Sequence, residues 1–360
     1  MIDRRRMTQV AALGGQFNVS GLPAWSAAVR NVIAGVADAP VLLVGESTHR
    51  FGANGGGPLW TQSAVPSYLV DRINNAGRVG ASCLGVFGGS GNLITGIDNR
   101  VTSLGSWTAT GAEGLGGQAF LATSGTSPFV FTPQGPFGPF DVYYPIFSGG
   151  GSFSVAIDDV VIDTISNAGT AALGKKTYSV DEGAHTIKLA RVSGTALFTG
   201  VSPRNAVKKI MALNTAEGGR LAADWTIATA PYAPLPSITA IAAPLVVVDD
   251  TINSMLAGVA AATIAASLGT VIDTVKAYGG DVVLMSANPV PTGSVSQVDQ
   301  QACRDALAAL AVTKSVKFID LFTIWGGTVA GVPGGMSSGV HPSDTAYGVK
   351  ADLEYAAIMT

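Results

Sequence analysis

The chain has 360 residues, 47% of them hydrophobic and only 12% charged, with a formal net charge of -3. That balance supplies an ample core, excludes disorder, and leaves no basic cluster beyond Arg4-Arg5-Arg6 with which to grip nucleic acid. No apolar run approaches the ~20 residues of a membrane span, so the chain reads as soluble, with neither nucleic acid nor membrane as a partner.

The arginine run resembles the start of a signal peptide, but residues 8–15 are too short and too polar for its apolar core, so no clear signal peptide is read. The small-residue texture, with 46 Gly and many Ser, Thr and Ala, favours an extracellular or virion-associated setting, host or viral origin being open. Cys83 and Cys303 allow one disulfide at most and read as separate buried thiols. Neither has His or Asp neighbours at metal-ligand spacing, so no metal and no cofactor are expected.

In chain order, Trp25 to Ala37 reads as a helix and Val41 to Val44 as a strand. Four consecutive Val/Leu residues between Pro40 and Gly45 indicate burial on both faces, as in a parallel sheet. Val65 to Asn75 is a second helix. From Gly85 to about Gly200 the helical period disappears. Short β-branched and aromatic runs at 128–132, 140–144, 152–157, 160–162, 186–189 and 196–198 alternate with Gly/Ser/Pro turns, the pattern of a β-sandwich or jelly roll. After Asn205 strands and helices alternate again. Strands are expected at Val207–Asn214, Leu245–Val248, Asp281–Met285 and Val316–Asp320, with helices at Thr251–Tyr278, Ser296–Val312 and from Thr345 onward. The expected fold class is α/β. Residues 1–84 and 205–360 form one parallel sheet covered on both faces, interrupted by an inserted β-sandwich at 85–204.

Ser47 stands just beyond the carboxyl end of the first buried strand, where open α/β sheets place their chemistry. A serine nucleophile needs a base, and the chain has only His49, His185 and His341. His185 lies at a strand start in the β region and reads as structural. His49 shares a turn with Ser47, where an in-line approach is hard, and is assigned to the rim or to substrate contact. His341 sits in the loop Ser338-Gly339-Val340-His341-Pro342-Ser343-Asp344, ahead of the last helix, and Pro342 biases it away from helical geometry.

Gly45-Glu46-Ser47 resembles the Gly-Asp-Ser block of the SGNH/GDSL hydrolase family, and Gly339-Val340-His341-Pro342 resembles its C-terminal His-Pro block. Between them, Asn214-Thr215-Ala216-Glu217-Gly218-Gly219 is similar to the block ending in a donor glycine. Val246-Val247-Val248-Asp249-Asp250-Thr251-Ile252-Asn253 is similar to the strand-plus-asparagine block. The resemblance implies a three-layer α/β/α esterase with Ser47 as nucleophile and His341 as base. Gly219 (Gly218 in the alternative register) and Asn253 would be the oxyanion donors. Two positions depart from the family pattern. Glu46 replaces the usual Asp, and Ser338 stands where the family carries the acid of its triad. A Ser-His dyad is therefore expected, with Ser338 and Asp344 as candidate orienting partners. Substrate-binding residues are not legible.

Some family members that act on O-acetylated polysaccharides carry a carbohydrate-binding-type sandwich at a similar place. Trp107, Phe137, Phe140, Tyr143 and Tyr144 would stack on sugars there, or fill the core. Asp158-Asp159 reads as a turn, with calcium binding as the alternative. The expected function is a serine esterase that removes O-acetyl groups from a polysaccharide. Two alternatives stand beside it. One is an esterase or lipase for small soluble esters, with the insert as a lid. The other is a non-enzymatic glycan-binding or phage tail structural protein on a decayed hydrolase fold. The expected partner is an O-acetylated glycan or another small ester; oligomeric state is not legible.

Overall fold

The computed structural model describes residues 18–50, 64–88, 94–111 and 114–360. The Arg4-Arg5-Arg6 run and its polar sequel lie outside the described residues. Six parallel strands form the central sheet: β1 (Ala39–Gly45), β2 (Ala81–Ser82), β3 (Ile210–Asn214), β4 (Leu245–Asp249), β5 (Asp281–Met285) and β6 (Lys317–Ile319). Their order is β6-β5-β4-β1-β3-β2. The chain leaves β1 toward one edge, returns through β3, and crosses to β4 on the other side. The carboxyl end of β1 is therefore the point where strand order reverses and a crevice opens.

Alternation along β1 builds the two outer layers. Val41 and Leu43 face a core that includes Trp25 and Val29 of the Pro23–Ile33 helix, Leu69 of Val65–Ala76, and Tyr347, Ala351 and Ile358 of the C-terminal helix Asp344–Met359. Leu42 and Val44 face the opposite core, with Ile264, Leu268 and Val271 of Ala261–Ala277 and Leu307 of Gln297–Lys314. All four β1 side chains are wholly buried, which is why the run carries no polar face. Trp25 fastens the first helix in place: its Nε1 donates to Ile358 O at 2.7 Å and its backbone N–H to Asp281 Oδ2 at 2.8 Å.

The antiparallel strands between Val86 and Pro203 make a sandwich inserted between β2 and β3. A five-stranded sheet runs in the order Val160–Ser166, Ser152–Ile157, Ile187–Ser193, Phe129–Phe131, Val101–Ser103. A four-stranded sheet contains Ala172–Tyr178, Phe140–Ile146, Gly200–Pro203 and Val86–Phe87, and a further three-stranded sheet holds Ala196–Phe198, Gln118–Ala122 and Thr108–Gly111. Phe129, Phe153 and Leu189 meet Phe140, Val142, Phe120 and Phe198 in one core. The first and last strands pair, Gly200 with Phe87 and Val201 with Val86, so the insert enters and leaves its host at one place.

That core takes most of the aromatics considered for sugar stacking. Trp107, Phe137 and Phe140 are buried in it, Tyr143 is buried instead in the core shared with Leu42 and Val44 of β1, and only Tyr144 is partly exposed. Their volume is needed inside because a sandwich core is filled from both inner faces. Asp158 and Asp159 form the two-residue turn of a hairpin, both with positive φ (48° and 71°). Asp158 accepts from Thr186 N at 2.8 Å and lies 2.6 Å from His185 Nδ1, so its carboxylate closes the turn onto the neighbouring strand.

Phe198 is the hub of the insert's aromatic cluster, with ring centroids at 4.9 Å from Trp107, 4.7 Å from Phe120 and 5.0 Å from Phe129. Replacing it with alanine leaves a ring-sized cavity, and urea unfolding is expected to show a loss of about 3–5 kcal/mol. A loss below about 1 kcal/mol would mean that this cluster does not hold the sandwich together.

Candidate active site

β1 ends at Gly45, Glu46 makes the turn, and Ser47–Arg50 forms one helical turn on top of the sheet. His49 N and Arg50 N both donate to Glu46 O at 3.0 Å, closing that turn. Glycine is required at 45 by close approach. A Cβ there would stand 2.8 Å from Asp249 O and 3.1 Å from His49 Cβ.

His341 reaches the same spot from a small hairpin, Met336–Ser338 against His341–Pro342, with Gly339 at φ 51° in its turn. Its Nε2 lies 2.9 Å from Ser47 Oγ, across 294 residues of sequence. Burial pushes the imidazole below its usual value, and a backbone hydrogen bond with Ser338 opposes that shift. Ser338 thus meets the ring through its main chain, while its side chain is exposed. Asp344 is elsewhere: it opens the C-terminal helix, whose N-cap is Ser343, and its charge is felt by Tyr68 and Tyr347. Asn288, unremarked in the sequence, donates through Nδ2 to Val340 O at 3.3 Å and steadies the residue before His341.

The other two site residues come from the strands flanking β1. Beyond β3, Thr215 N donates to Leu43 O at 3.2 Å and Glu217 N to Gly45 O at 2.9 Å, so the chain follows β1 to its end. Gly218 and Gly219 follow, Gly219 with φ 78°, and neither N–H has an acceptor among the described residues. Beyond β4, Asn253 lies in the first turn of the Ile252–Leu256 helix. Its Nδ2 is buried and has no hydrogen-bond partner among the described residues. A buried donor without an acceptor costs ~1–3 kcal/mol, and a ligand oxygen at this position would satisfy it.

Arg50 ties these parts together. Its guanidinium donates to Ala216 O in the glycine loop, to Phe87 O at 3.2 Å and to Gly88 O at 3.1 Å, where the insert begins.

Beneath Ser47 lies a cluster of wholly buried charges that sequence reasoning missed. Lys350 Nζ donates to Asp249 Oδ2 and, at 3.3 Å, to Thr48 O. His49 Nδ1 is 3.2 Å from the same Asp249 oxygen, and His49 Nε2 is 3.6 Å from Glu354 Oε1. Burial alone would raise Asp249, but Lys350 and His49 outweigh it and hold the carboxylate down at about 2. Burial and the charge of Asp249 push Glu46 up to about 8, against two backbone N–H donors. Burial and Glu46 likewise raise Asp250, which accepts from Trp225 Nε1. His49 is therefore not at the rim. Its ring turns under the helical turn toward β4 and the C-terminal helix, where its charged partners are. Lys350 and Glu354, four residues apart on a helix whose Tyr347, Ala351 and Ile358 are buried, were the available signal.

No protein-family model matches the sequence, and no curated protein is similar to it by sequence. Among solved structures, the chain is similar to a peptidoglycan O-acetylesterase at 14% identity and a TM-score of 0.72, covering 95% of this chain and 96% of that one. TesA matches at 20% identity over 42% of this chain and 79% of its own, with a TM-score of 0.35. An acetylxylan esterase from Geobacillus stearothermophilus matches at 14% identity over 41% and 73%, with a TM-score of 0.34. The first of these likenesses, at 95% of this chain, spans the sandwich as well as the parallel sheet. The strand order, the inserted sandwich and that full-length likeness give this chain the fold of the SGNH/GDSL hydrolases.

Proposed function

We propose that this chain is a serine esterase that removes O-acetyl groups from a polysaccharide. The observation that carries the proposal is the 2.9 Å contact between Ser47 Oγ and His341 Nε2. Burial keeps the imidazole neutral near pH 7, so Nε2 can take the Ser47 proton as Oγ attacks the acetyl carbonyl. The developing oxyanion is met by the Ser47 N–H, the Gly219 N–H and the Asn253 amide. Collapse expels the sugar hydroxyl, which takes its proton from His341 and leaves Ser47 acetylated. Water, deprotonated by the same imidazole, then releases acetate.

No carboxylate takes part in this scheme. The Ser338 backbone orients the ring in place of a triad acid, so the pair works as a dyad. The unpartnered Asn253 amide favours a working site over a decayed one. The glycan reading draws on the named activity of the peptidoglycan O-acetylesterase, whose likeness extends over the insert. We read residues 85–204 as a carbohydrate-binding-like domain set into a hydrolase domain formed by 1–84 and 205–360. With its large aromatics committed to the core, its sugar contacts would be mainly polar.

Acetate release from O-acetylated peptidoglycan and from acetylxylan tests the proposal. Wild type should release acetate, and Ser47→Ala and His341→Ala should each slow release by about 10³-fold or more. Equal release by wild type and Ser47→Ala would refute the mechanism, and a preference for butyryl or longer esters would refute the substrate class. The pH profile is a second check. Because burial lowers the His341 pKa, kcat/KM should rise with pH through an inflection below the ordinary histidine value of 6.5 and then stay level. An inflection above 6.5 would mean that a carboxylate, and not the Ser338 backbone, controls the imidazole.

A further inference from the structure

Glu46 precedes the nucleophile, yet its carboxyl turns away from the reaction into the wholly buried interior. Oε1 accepts from Ile252 N at 3.0 Å and Oε2 from Asn253 N at 2.9 Å, bridging 206 and 207 residues. These N–H groups open the Ile252–Leu256 helix, whose own N-cap residue, Thr251, supplies no side-chain cap. The first N–H groups of a helix need outside acceptors, and here both come from the residue next to Ser47. Because each oxygen holds one N–H, the fork fixes the first helical turn in rotation as well as in distance. Asn253 is one of the two residues gripped, and its Nδ2 is the amide left without a partner among the described residues.

We propose that Glu46 is a positioning residue whose carboxyl holds the Asn253 amide at the oxyanion position beside Ser47. The inference rests on the reading of Asn253 as an oxyanion donor given under the proposed function. Stability alone is a poor account of this carboxyl. It lies beside two other buried acids, Asp249 and Asp250, and a five-residue helix would be capped at lower cost by a neutral Ser or Thr. Glutamine cannot replace it, since its NH2 group would face one of the two N–H donors.

The test is a double-mutant cycle on acetyl-ester hydrolysis with wild type, Glu46→Gln, Asn253→Ala and the double variant. Asn253→Ala should lower kcat by about 10²–10³-fold, the usual loss for one oxyanion donor. Glu46→Gln should lower kcat by about 10-fold or more with KM within about twofold, and the double variant should be no slower than Asn253→Ala alone. Losses that multiply in the double variant, or a Glu46→Gln effect confined to KM, would overturn the proposal and leave the esterase reading intact. An unchanged kcat in Asn253→Ala would instead overturn the oxyanion role of Asn253, and the role of Glu46 with it. If Glu46→Gln fails to fold by circular dichroism, Glu46→Asp enters the same cycle. It keeps both acceptor oxygens at shorter reach and should lose kcat only while Asn253 is present.

Discussion

The Asp249 carboxylate at the end of β4 holds the reactive end of the molecule together. Its neighbour across the sheet is Gly45, whose missing side chain lets the two strands and the His49 ring close up. Lys350 reaches this carboxylate from the C-terminal helix and also caps Thr48 O, one residue past the nucleophile. His49 meets it from the turn itself. Buried ion pairs gain little net energy against well-packed apolar groups, yet losing one partner strands a charge in the interior. Such a cluster therefore tolerates one arrangement of β1, β4 and the last helix. That helix begins three residues after His341, so the same contacts also govern how His341 meets Ser47.

A histidine–carboxylate pair thus exists close to Ser47, but it is not the pair the proposed mechanism uses. His49 and Asp249 are sealed beneath the turn, where no substrate can reach them. The accessible histidine, His341, has a main-chain partner instead of an acid. A neutral partner gives the imidazole orientation without much stabilising its charged form, in keeping with the lowered pKa that burial gives His341. The proposed oxyanion side follows the same economy. Glu46, one residue from Ser47, links the turn to the helix that carries Asn253.

Legibility in the sequence followed how local each signal is. β1, β4 and β5 stand out as continuous apolar runs because both their faces are covered. β2 does not, since two residues at a sheet edge carry no pattern. In the insert, Ser152–Ile157 was plain from its alternation. Ala172–Tyr178 escaped because Gly174, Lys175 and Lys176 become a strand only through pairing with Phe140–Ile146. Ser47, His341, Gly219 and Asn253 were singled out from short blocks at element ends, and of these the structure joins Ser47 to His341. His49, Lys350 and Glu354 were not, since what buries a charge is a partner 100 or more residues away. Phe140, Tyr143 and Tyr144 illustrate the same limit: sequence places them on a strand but does not say which face becomes the core.

The central claim is that Ser47 and His341 form one reactive unit. Its most direct measurement is covalent capture by an alkyl phosphonate ester, with the modified residue located by peptide mass spectrometry. The account predicts a single phosphonylated site at Ser47, formed much more slowly in His341→Ala and not at all in Ser47→Ala. Labelling at another residue, or labelling of Ser47 at the same rate without His341, would contradict it.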